Sequence, residues 1–403
     1  MGRKPLATHW TTKLGDRVTL IPHGNKGSLD FLFIFILNLN FIEMNHAANI
    51  KAFGTRGADK DLEPMNIGRR DLLPNDVEIE IMYCGVCHSD LHTARNDWGG
   101  TKYPAVPGHE IIGRIIRTGT EVSKFKSGDL VGVGCMVDSC KSCSSCEKGW
   151  EQYCQKGFTG TYNGKDVYSG GHTFGGYSEK ITVNEDFVLS IPENLNPAAV
   201  APLLCAGITT WSPLRRWNVR PGNKVAVVGL GGLGHMAIKL AKALGAEVTL
   251  FSRTPDKIQD AKELGADEVI ISTDSAEMKS AQSKFDLIID TVPYVHDLNP
   301  YIATLNTDGT LVLVGYLGPL ETALNSVPMI LGRKSVAGSL IGGIAETQEM
   351  LDFCGKHQIV SEIEMIPMQD INQAYERMLR SDVKYRFVID MKSLKTEKIN
   401  PSE

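Results

Sequence analysis

The sequence contains no polybasic stripe and no sustained basic amphipathic helix, and its formal net charge is only −5. Proteins that bind nucleic acid or anionic membranes usually carry such basic clusters, so both are poor candidate partners. The most apolar run, "FLFIFIL" at residues 31–37, is too short to span a bilayer, and two asparagines interrupt its continuation. We therefore predict neither nucleic acid nor membrane as a partner. The predicted location is the cytoplasm, a reducing compartment that suits the free thiols of this chain.

A clean secretory signal is also missing. The run at residues 31–37 lies unusually far from residue 1 for the apolar part of a signal peptide, although "HAAN" after it could act as a poor cleavage site. Ordinary domain patterning begins only at Met44, and the apolar run before it is prone to aggregation. We predict that residues 1–43 lie outside the fold, which a start codon assigned too far upstream would explain.

The rest of the chain has room for two domains, because 403 residues exceed one ordinary hydrophobic core. From "VEIEIMYCGVCHSD" to "GYSEKITVNED", short alternating apolar runs between Gly, Pro and Asp predict an all-β unit, either a barrel or a sandwich. From "KVAVV" to "GTLVLVGYL", strand patterns alternate with helical ones, which predicts a doubly wound parallel sheet. Beyond about residue 342 we predict an amphipathic helix, a second helix at "INQAYERMLRS" and a final strand at "YRFVID".

The pattern G-x-G-x-x-G directly follows the strand "KVAVV" and precedes a helix. In that context it predicts dinucleotide binding, whereas alone it would indicate only a flexible loop. Gly229 makes the turn, Gly231 lets a pyrophosphate approach the backbone, and Gly234 lets helix and strand pack closely. Gly232 lies within the turn and is included in the predicted site. The helix N-terminus would offer free N–H groups to the phosphates.

The end of the following strand, "LFSRTPDK", lacks the acidic residue that would bind the ribose 2′-hydroxyl of NAD. Ser252, Arg253 and Lys257 suit a 2′-phosphate instead. This favours NADP(H), although Arg253 could also be a solvated surface residue.

Nine cysteines, an odd number, are more typical of metal ligands in a reducing compartment than of disulfides. Cys140, Cys143, Cys146 and Cys154 follow the spacing C-x2-C-x2-C-x7-C, with which one loop can surround zinc tetrahedrally. An iron–sulfur cluster and disulfides remain alternatives. Because four thiolates leave no open position, this zinc would be structural. Cys135 lies outside the spacing and is most simply a small buried hydrophobic residue.

Ligands for a catalytic metal must therefore come from elsewhere in the chain. The candidates are Cys87 in "CGVCHSD", His109 and Glu110 in "PGHE", and Cys205 in "LLCAGIT". Each is a weak signal alone. Together they supply two thiolates, an imidazole and a nearby carboxylate, and two cysteines with one histidine form a known ligand set of catalytic zinc.

These motifs, with "GGYSE" and "CAGITTWSPL", resemble the zinc-dependent medium-chain alcohol dehydrogenases, in the cinnamyl alcohol dehydrogenase branch that includes bacterial NADPH-dependent aldehyde reductases. The resemblance extends from about residue 44 to residue 392. It implies a GroES-like catalytic barrel (residues 44–202 and 342–392) with a structural zinc lobe, an inserted Rossmann domain (residues 203–341) and a polar tail (residues 393–403). It also implies two zinc ions per chain, NADP(H) as cofactor and a homodimer.

By the same resemblance, Cys87, His109 and Cys205 bind the catalytic zinc, and Glu110 is an alternate or exchanging ligand. Asp90 would orient the imidazole of His109, a common arrangement at such sites. A zinc ion held there would polarise the carbonyl of an aldehyde that accepts hydride from the nicotinamide.

Three further residues receive roles from the resemblance. Ser89 resembles the family's relay hydroxyl, which passes a proton through the nicotinamide ribose to His92 near solvent. Trp98 matches a position that faces the substrate, with a core tryptophan as the alternative. The implied activity interconverts primary alcohols and aldehydes (aryl, cinnamyl or medium-chain) with NADP(H). Two alternatives stay open: an NAD-dependent dehydrogenase of secondary alcohols or polyols, and a non-catalytic NADP- or zinc-binding protein.

Overall fold

The computed structural model describes residues 47–315 and 318–395, so the prediction for residues 1–43 lies outside the described part. Its strands are β1 Ala47–Gly54, β2 Glu63–Arg69, β3 Asp76–Gly85, β4 Ile111–Thr118, β5 Leu130–Val133, β6 Met136–Asp138, β7 Thr159–Gly160, β8 Lys180–Asn184, β9 Leu189–Ser190, β10 Lys224–Val228, β11 Glu247–Ser252, β12 Glu268–Ile271, β13 Phe285–Asp290, β14 Leu305–Leu313, β15 Ser335–Gly338, β16 Ile363–Pro367 and β17 Arg386–Asp390. Its helices are α1 His88–Ala94, α2 Pro197–Val200, α3 Ala206–Arg216, α4 Gly234–Ala243, α5 Ile258–Glu263, α6 Ser275–Ser280, α7 Asn299–Thr304, α8 Ser326–Gly332, α9 Ile344–His357, α10 Ile371–Leu379 and α11 Lys392–Lys395. None of the helices in these two ranges is long and apolar enough to cross a membrane.

The first large sheet has seven strands in the order β16-β17-β3-β4-β5-β9, with β8 also paired to β3. In β3, Val77, Ile79 and Ile81 alternate with polar residues and are fully buried, as expected for a strand with one face on a core. β17 pairs antiparallel with β3 and places Val388 opposite Gly85. The C-terminal part of the chain therefore completes the sheet that the N-terminal part begins.

The second large sheet is parallel, with six strands in the order β12-β11-β10-β13-β14-β15. Its central strands are continuous apolar runs, such as Val225–Val228 of β10, because helices cover both faces. The chain moves outward from β10 through β11 to β12 and then returns to β13 on the other side of β10. In sheets of this kind, ligands bind at the carboxyl ends of the strands near that reversal.

One hydrophobic cluster joins the two sheets. Ile112 and Val388 of the antiparallel sheet belong to the same buried cluster as Val225 and Leu287 of the parallel sheet. Helix α3 lies in this cluster, and its residues 206–214 are all buried. The position of α3 is therefore fixed by the core, and Cys205 immediately precedes it.

Candidate active site

The scattered candidate ligands converge at the ends of three elements. Cys87 is the residue before α1, which follows β3, while His109 and Glu110 come directly before β4. Because β3 and β4 are antiparallel neighbours that pair at this end, they bring the two segments together. Cys205 enters from the start of α3. One ligand atom from each of the four residues lies within 4.8 Å of all the others, and all four residues are buried.

The imidazole of His109 is held by hydrogen bonds on one side. Its Nδ1 lies 3.1 Å from Asp90 Oδ1 and 3.2 Å from the hydroxyl of Tyr162. A carboxylate only accepts, so Nδ1 carries the proton and Nε2 is left for a metal. Asp90 is completely buried and also accepts from the backbone N–H groups of Cys87 (2.8 Å) and Gly108 (3.0 Å). The same carboxylate thus positions both the imidazole and the Cys87 loop.

Glu110 forms a buried ion pair with Arg386 of β17 through its Oε1. Its Oε2 has no hydrogen-bond partner among the described residues. A buried carboxylate oxygen without a donor is costly unless a cation occupies the site. A Cβ at Gly85 would come within 1.9 Å of this oxygen, which explains the glycine there. The donor set therefore fits a divalent cation with a preference for sulfur and nitrogen ligands, such as zinc.

The predicted relay residues lie on α1, next to the metal cluster. Ser89 Oγ is 3.7 Å from Cys87 Sγ. One turn further, His92 Nδ1 is 2.7 Å from Asp97 Oδ2 near the surface. The Trp98 ring lies beside the His92 ring, tilted by 35° with centroids 5.1 Å apart, and Trp98 is 46% exposed, which excludes the core alternative for this tryptophan.

The four cysteines that are closely spaced between residues 140 and 154 form a second cluster. The Sγ atoms of Cys140, Cys143, Cys146 and Cys154 all lie within 4.8 Å of one another. Backbone N–H groups point at two of them, from Cys140 to Cys154 Sγ at 3.5 Å and from Gln155 to Cys143 Sγ at 3.4 Å. None of the nine cysteines, all within the described ranges, forms a disulfide. The arrangement fits a closed four-thiolate metal site.

The glycine turn follows β10 at the carboxyl edge of the parallel sheet. Gly229 has a φ of +87°, and a Cβ at Gly234 would come within 2.1 Å of the Gly229 carbonyl oxygen. A Cβ at Gly231 would meet no atom within 4 Å, so this position faces open space. The guanidinium of Arg386 lies against Gly232, where a Cβ would be 2.8 Å from Nη1. The turn therefore has the backbone and the space that a pyrophosphate requires, next to a cation.

The residues predicted to choose the cofactor lie at the end of β11. Ser252 is buried, and its hydroxyl donates to the Thr254 carbonyl at 2.7 Å. Arg253 is exposed and Lys257 is half-buried. Arg253 forms no ion pair with the residues that the structure describes, so its guanidinium is available to an anion.

Two family models match the chain, the alcohol dehydrogenase GroES-like domain at residues 73–193 and zinc-binding dehydrogenase at residues 232–356. Aldehyde reductase YahK of Escherichia coli is 56% identical over 348 residues, which cover 86% of this chain and 99% of the relative. A cinnamyl alcohol dehydrogenase structure from Sorghum bicolor superimposes with a TM-score of 0.84 at 44% identity, covering 87% of this chain and all of that one. A second such structure, from Helicobacter pylori and complexed with NADP(H), superimposes with a TM-score of 0.80 at 45% identity. It covers 85% of this chain and 98% of that one.

The chain belongs to the zinc-dependent medium-chain alcohol dehydrogenases. Its relatives and structural neighbours put this alcohol dehydrogenase in the cinnamyl alcohol dehydrogenase branch, so it is an oxidoreductase. The fold class predicted from the sequence, a GroES-like barrel with a doubly wound Rossmann unit, is confirmed.

Sequence reasoning missed several groups around the metal cluster of this alcohol dehydrogenase. Tyr162 contacts His109, and burial and the charge of Asp90 raise its pKa well above the ordinary value, so the hydroxyl stays protonated. Tyr177 donates to Asp90 Oδ2 at 3.2 Å. Cys135 is only partly buried and lies beside the cluster, with Sγ 3.7 Å from the Leu204 carbonyl, rather than in the core as expected. The only sequence signal for any of these groups was the motif "GGYSE", which contains Tyr177 but indicates no role for it.

Proposed function

We propose that the chain is an NADP(H)-dependent enzyme that interconverts aldehydes and primary alcohols (aryl, cinnamyl or medium-chain) at a zinc ion held by Cys87, His109 and Cys205. The observation that carries the proposal is the buried cluster of these three ligands with Glu110. Arg386 links it to the glycine turn, since its guanidinium contacts both Glu110 and Gly232. A zinc ion bound there supplies a Lewis acid for a carbonyl oxygen.

The side chains of this chain would orient the ligands and move the proton. Asp90 keeps the proton of His109 on Nδ1 and so keeps Nε2 available to the metal. Glu110 is assigned as an alternate ligand, with Arg386 neutralising its charge while it is not bound. Ser89 would hold the proton that reaches the substrate oxygen, and His92 would exchange it with solvent, where its ring is 26% exposed.

Preference for NADP(H) is proposed from the exposed guanidinium of Arg253 at the end of β11, with Lys257 one turn further on. A relative from Mycolicibacterium smegmatis, 50% identical over 87% of this chain and all of its own length, carries the name NADP-dependent alcohol dehydrogenase C 1. We also propose a second zinc in the four-cysteine site and a reducing compartment such as the cytoplasm, because none of the cysteines forms a disulfide.

A homodimer is supported by one edge of the parallel sheet. β15 is the last strand of that sheet in the described part. The helix that precedes β15 in the chain, α8, packs against β14 and exposes Val327, Ile330 and Leu331, which are 58%, 74% and 82% accessible. An exposed apolar patch and an open strand edge at the same end of a sheet favour pairing with a second copy. Light scattering should give twice the chain mass, and a monomer at working concentrations would contradict this part of the proposal.

The function is tested by following NADPH oxidation with benzaldehyde and cinnamaldehyde, before and after treatment with a zinc chelator. We expect turnover that the chelator abolishes and zinc restores, and slower turnover with NADH. Oxidation of a polyol with NAD in place of aldehyde reduction would favour the polyol dehydrogenase alternative. Binding of NADPH without turnover of any alcohol or aldehyde would favour the non-catalytic one.

A further inference from the structure

The loop between β15 and α9, residues 339–343, is backbone-strained. Ile341 has a φ of +34°, close to the left-handed region, which β-branched side chains rarely adopt. Such a conformation persists only where the surroundings impose it. We refer to residues 339–343 as the β15–α9 loop.

One side of this loop is bound by the segment that carries the four cysteines, residues 140–154, which we call the structural metal lobe. The backbone N–H of Leu340 donates to the hydroxyl of Tyr153 at 3.0 Å. The backbone N–H of Ile344, the first residue of α9, donates to Glu151 Oε2 at 3.1 Å. Both acceptors lie between Cys146 and Cys154 of the four-cysteine site.

The contact between lobe and loop is also tightly packed. A Cβ at Gly343 would come within 1.8 Å of the Gly149 carbonyl oxygen, so the two backbones touch. On its other side the loop meets α3, since a Cβ at Gly342 would be 2.5 Å from Ile208 Cδ1. Cys205 immediately precedes α3. The β15–α9 loop therefore packs between the structural metal lobe on one side and α3, the helix that follows Cys205, on the other.

The position of the loop in the sheet indicates which part of a cofactor it serves. The 2′-phosphate side of the cofactor is assigned to the end of β11, and the pyrophosphate to the glycine turn after β10. The sheet continues from β10 through β13 and β14 to β15. A dinucleotide that runs along the carboxyl edge must then place its nicotinamide half toward β13–β15. The β15–α9 loop follows the carboxyl end of β15.

We propose that Glu151 and Tyr153 are positioning residues that act through the β15–α9 loop on the nicotinamide half of the cofactor. By accepting from Ile344 and Leu340 they keep the loop in its strained conformation, so the structural metal lobe contributes to cofactor affinity as well as to folding. The inference rests on the proposed NADP(H)-dependent function. It assigns no contact between these two side chains and the cofactor.

The test compares Tyr153→Phe and Glu151→Ala with wild-type enzyme, using two ligands. NADPH spans the whole site, whereas 2′,5′-ADP occupies only the adenosine side. We expect each variant to bind NADPH about threefold to tenfold more weakly and to raise its KM more than it lowers kcat, the range that one hydrogen bond supports. The affinity for 2′,5′-ADP and the metal content should not change.

Two further variants separate positioning from general loss of structure. Glu151→Gln keeps an acceptor oxygen and should restore NADPH affinity. Glu147→Ala removes an exposed carboxylate from the same lobe and should have no effect. If Glu151→Ala loses metal, its NADPH affinity no longer reports on positioning alone. The test then rests on Tyr153→Phe, which removes only the hydroxyl and keeps the ring.

Equal weakening of NADPH and 2′,5′-ADP would overturn the inference, and so would unchanged NADPH affinity in both variants. Wild-type protein that binds no NADPH would instead overturn the proposed function, and the inference with it.

Discussion

The carboxylate of Asp90 lies 3.1 Å from Nδ1 of His109, and both side chains are buried. Its oxygens also accept from the backbone N–H of Cys87 and from the hydroxyl of Tyr177. One carboxylate therefore orients two of the three proposed zinc ligands, and its own position is fixed by a tyrosine from the "GGYSE" segment. Partners of this kind control metal affinity without contacting the metal.

Asp90→Asn should weaken binding of the catalytic zinc about 10- to 100-fold. In the wild type the donors around Asp90 share two carboxylate oxygens, whereas an amide offers them only one acceptor oxygen. The measurement is competition with a chromophoric zinc chelator, read together with metal content per chain. Asp59→Asn, at a carboxylate that is 83% exposed, is the matched control. Unchanged zinc affinity in Asp90→Asn would mean that the hydrogen bond to His109 does not position the ligand.

Ser89→Ala should lower kcat about 100-fold while both metals stay bound, since it removes a hydroxyl 3.7 Å from Cys87 Sγ that is proposed to carry the proton. The check is kcat across a range of pH, with metal content measured on the same samples. Ser89→Thr keeps the hydroxyl and should retain most of the activity. Full activity of the alanine variant at every pH would show that the relay runs elsewhere.

Much of the fold follows from local patterns. The buried strand β10, the glycine turn and α4 are adjacent in sequence, so their periodicity and spacing suffice to predict them. The ion pair between Glu110 and Arg386 could not be predicted this way, because the two residues are 276 positions apart and no local pattern connects "PGHE" with the strand "YRFVID". The contacts of Tyr153 and Glu151 with the β15–α9 loop could not be predicted for the same reason, because they join segments 187 and 193 positions apart in the chain.

Arg253→Gln should raise KM for NADPH about 10- to 100-fold and leave KM for NADH nearly unchanged, because a charge-assisted hydrogen bond to the 2′-phosphate is lost. Steady-state kinetics with the two cofactors give the ratio directly. Lys262→Gln, an exposed charge change on α5, controls for the altered net charge. A similar loss with both cofactors would mean that Arg253 does not contact the 2′-phosphate.

Cys143→Ser should reduce the metal content from two zinc ions per chain to one and lower the thermal midpoint, because a four-thiolate site that loses one ligand no longer binds its metal tightly. Elemental analysis and a thermal scan provide the two readouts. Cys354→Ala, at a buried cysteine outside both clusters, should keep both ions. A wild-type protein that contains iron would contradict the zinc assignment of this loop.

The buried imidazole of His235 on α4 leads us to predict that the protein loses stability over a defined range of acidic pH. Its ring stacks on Tyr385 with centroids 5.1 Å apart, its Nε2 is 2.9 Å from Ser361 Oγ, and burial lowers its pKa to about 4. The unfolded chain takes up this proton near pH 6.5, whereas the folded protein resists it until about pH 4. The free energy of unfolding therefore keeps its full value above pH 6.5 and declines as the pH falls toward 4.

His235→Gln removes this titration, so wild type should lose about 2 kcal/mol more stability than the variant between pH 7 and pH 5. Urea midpoints of both proteins at the two pH values measure the difference, and other titrating groups cancel because both proteins contain them. Equal losses would mean that the buried imidazole takes up its proton in the folded state as readily as in the unfolded chain, and that the stacking on Tyr385 does not exclude it.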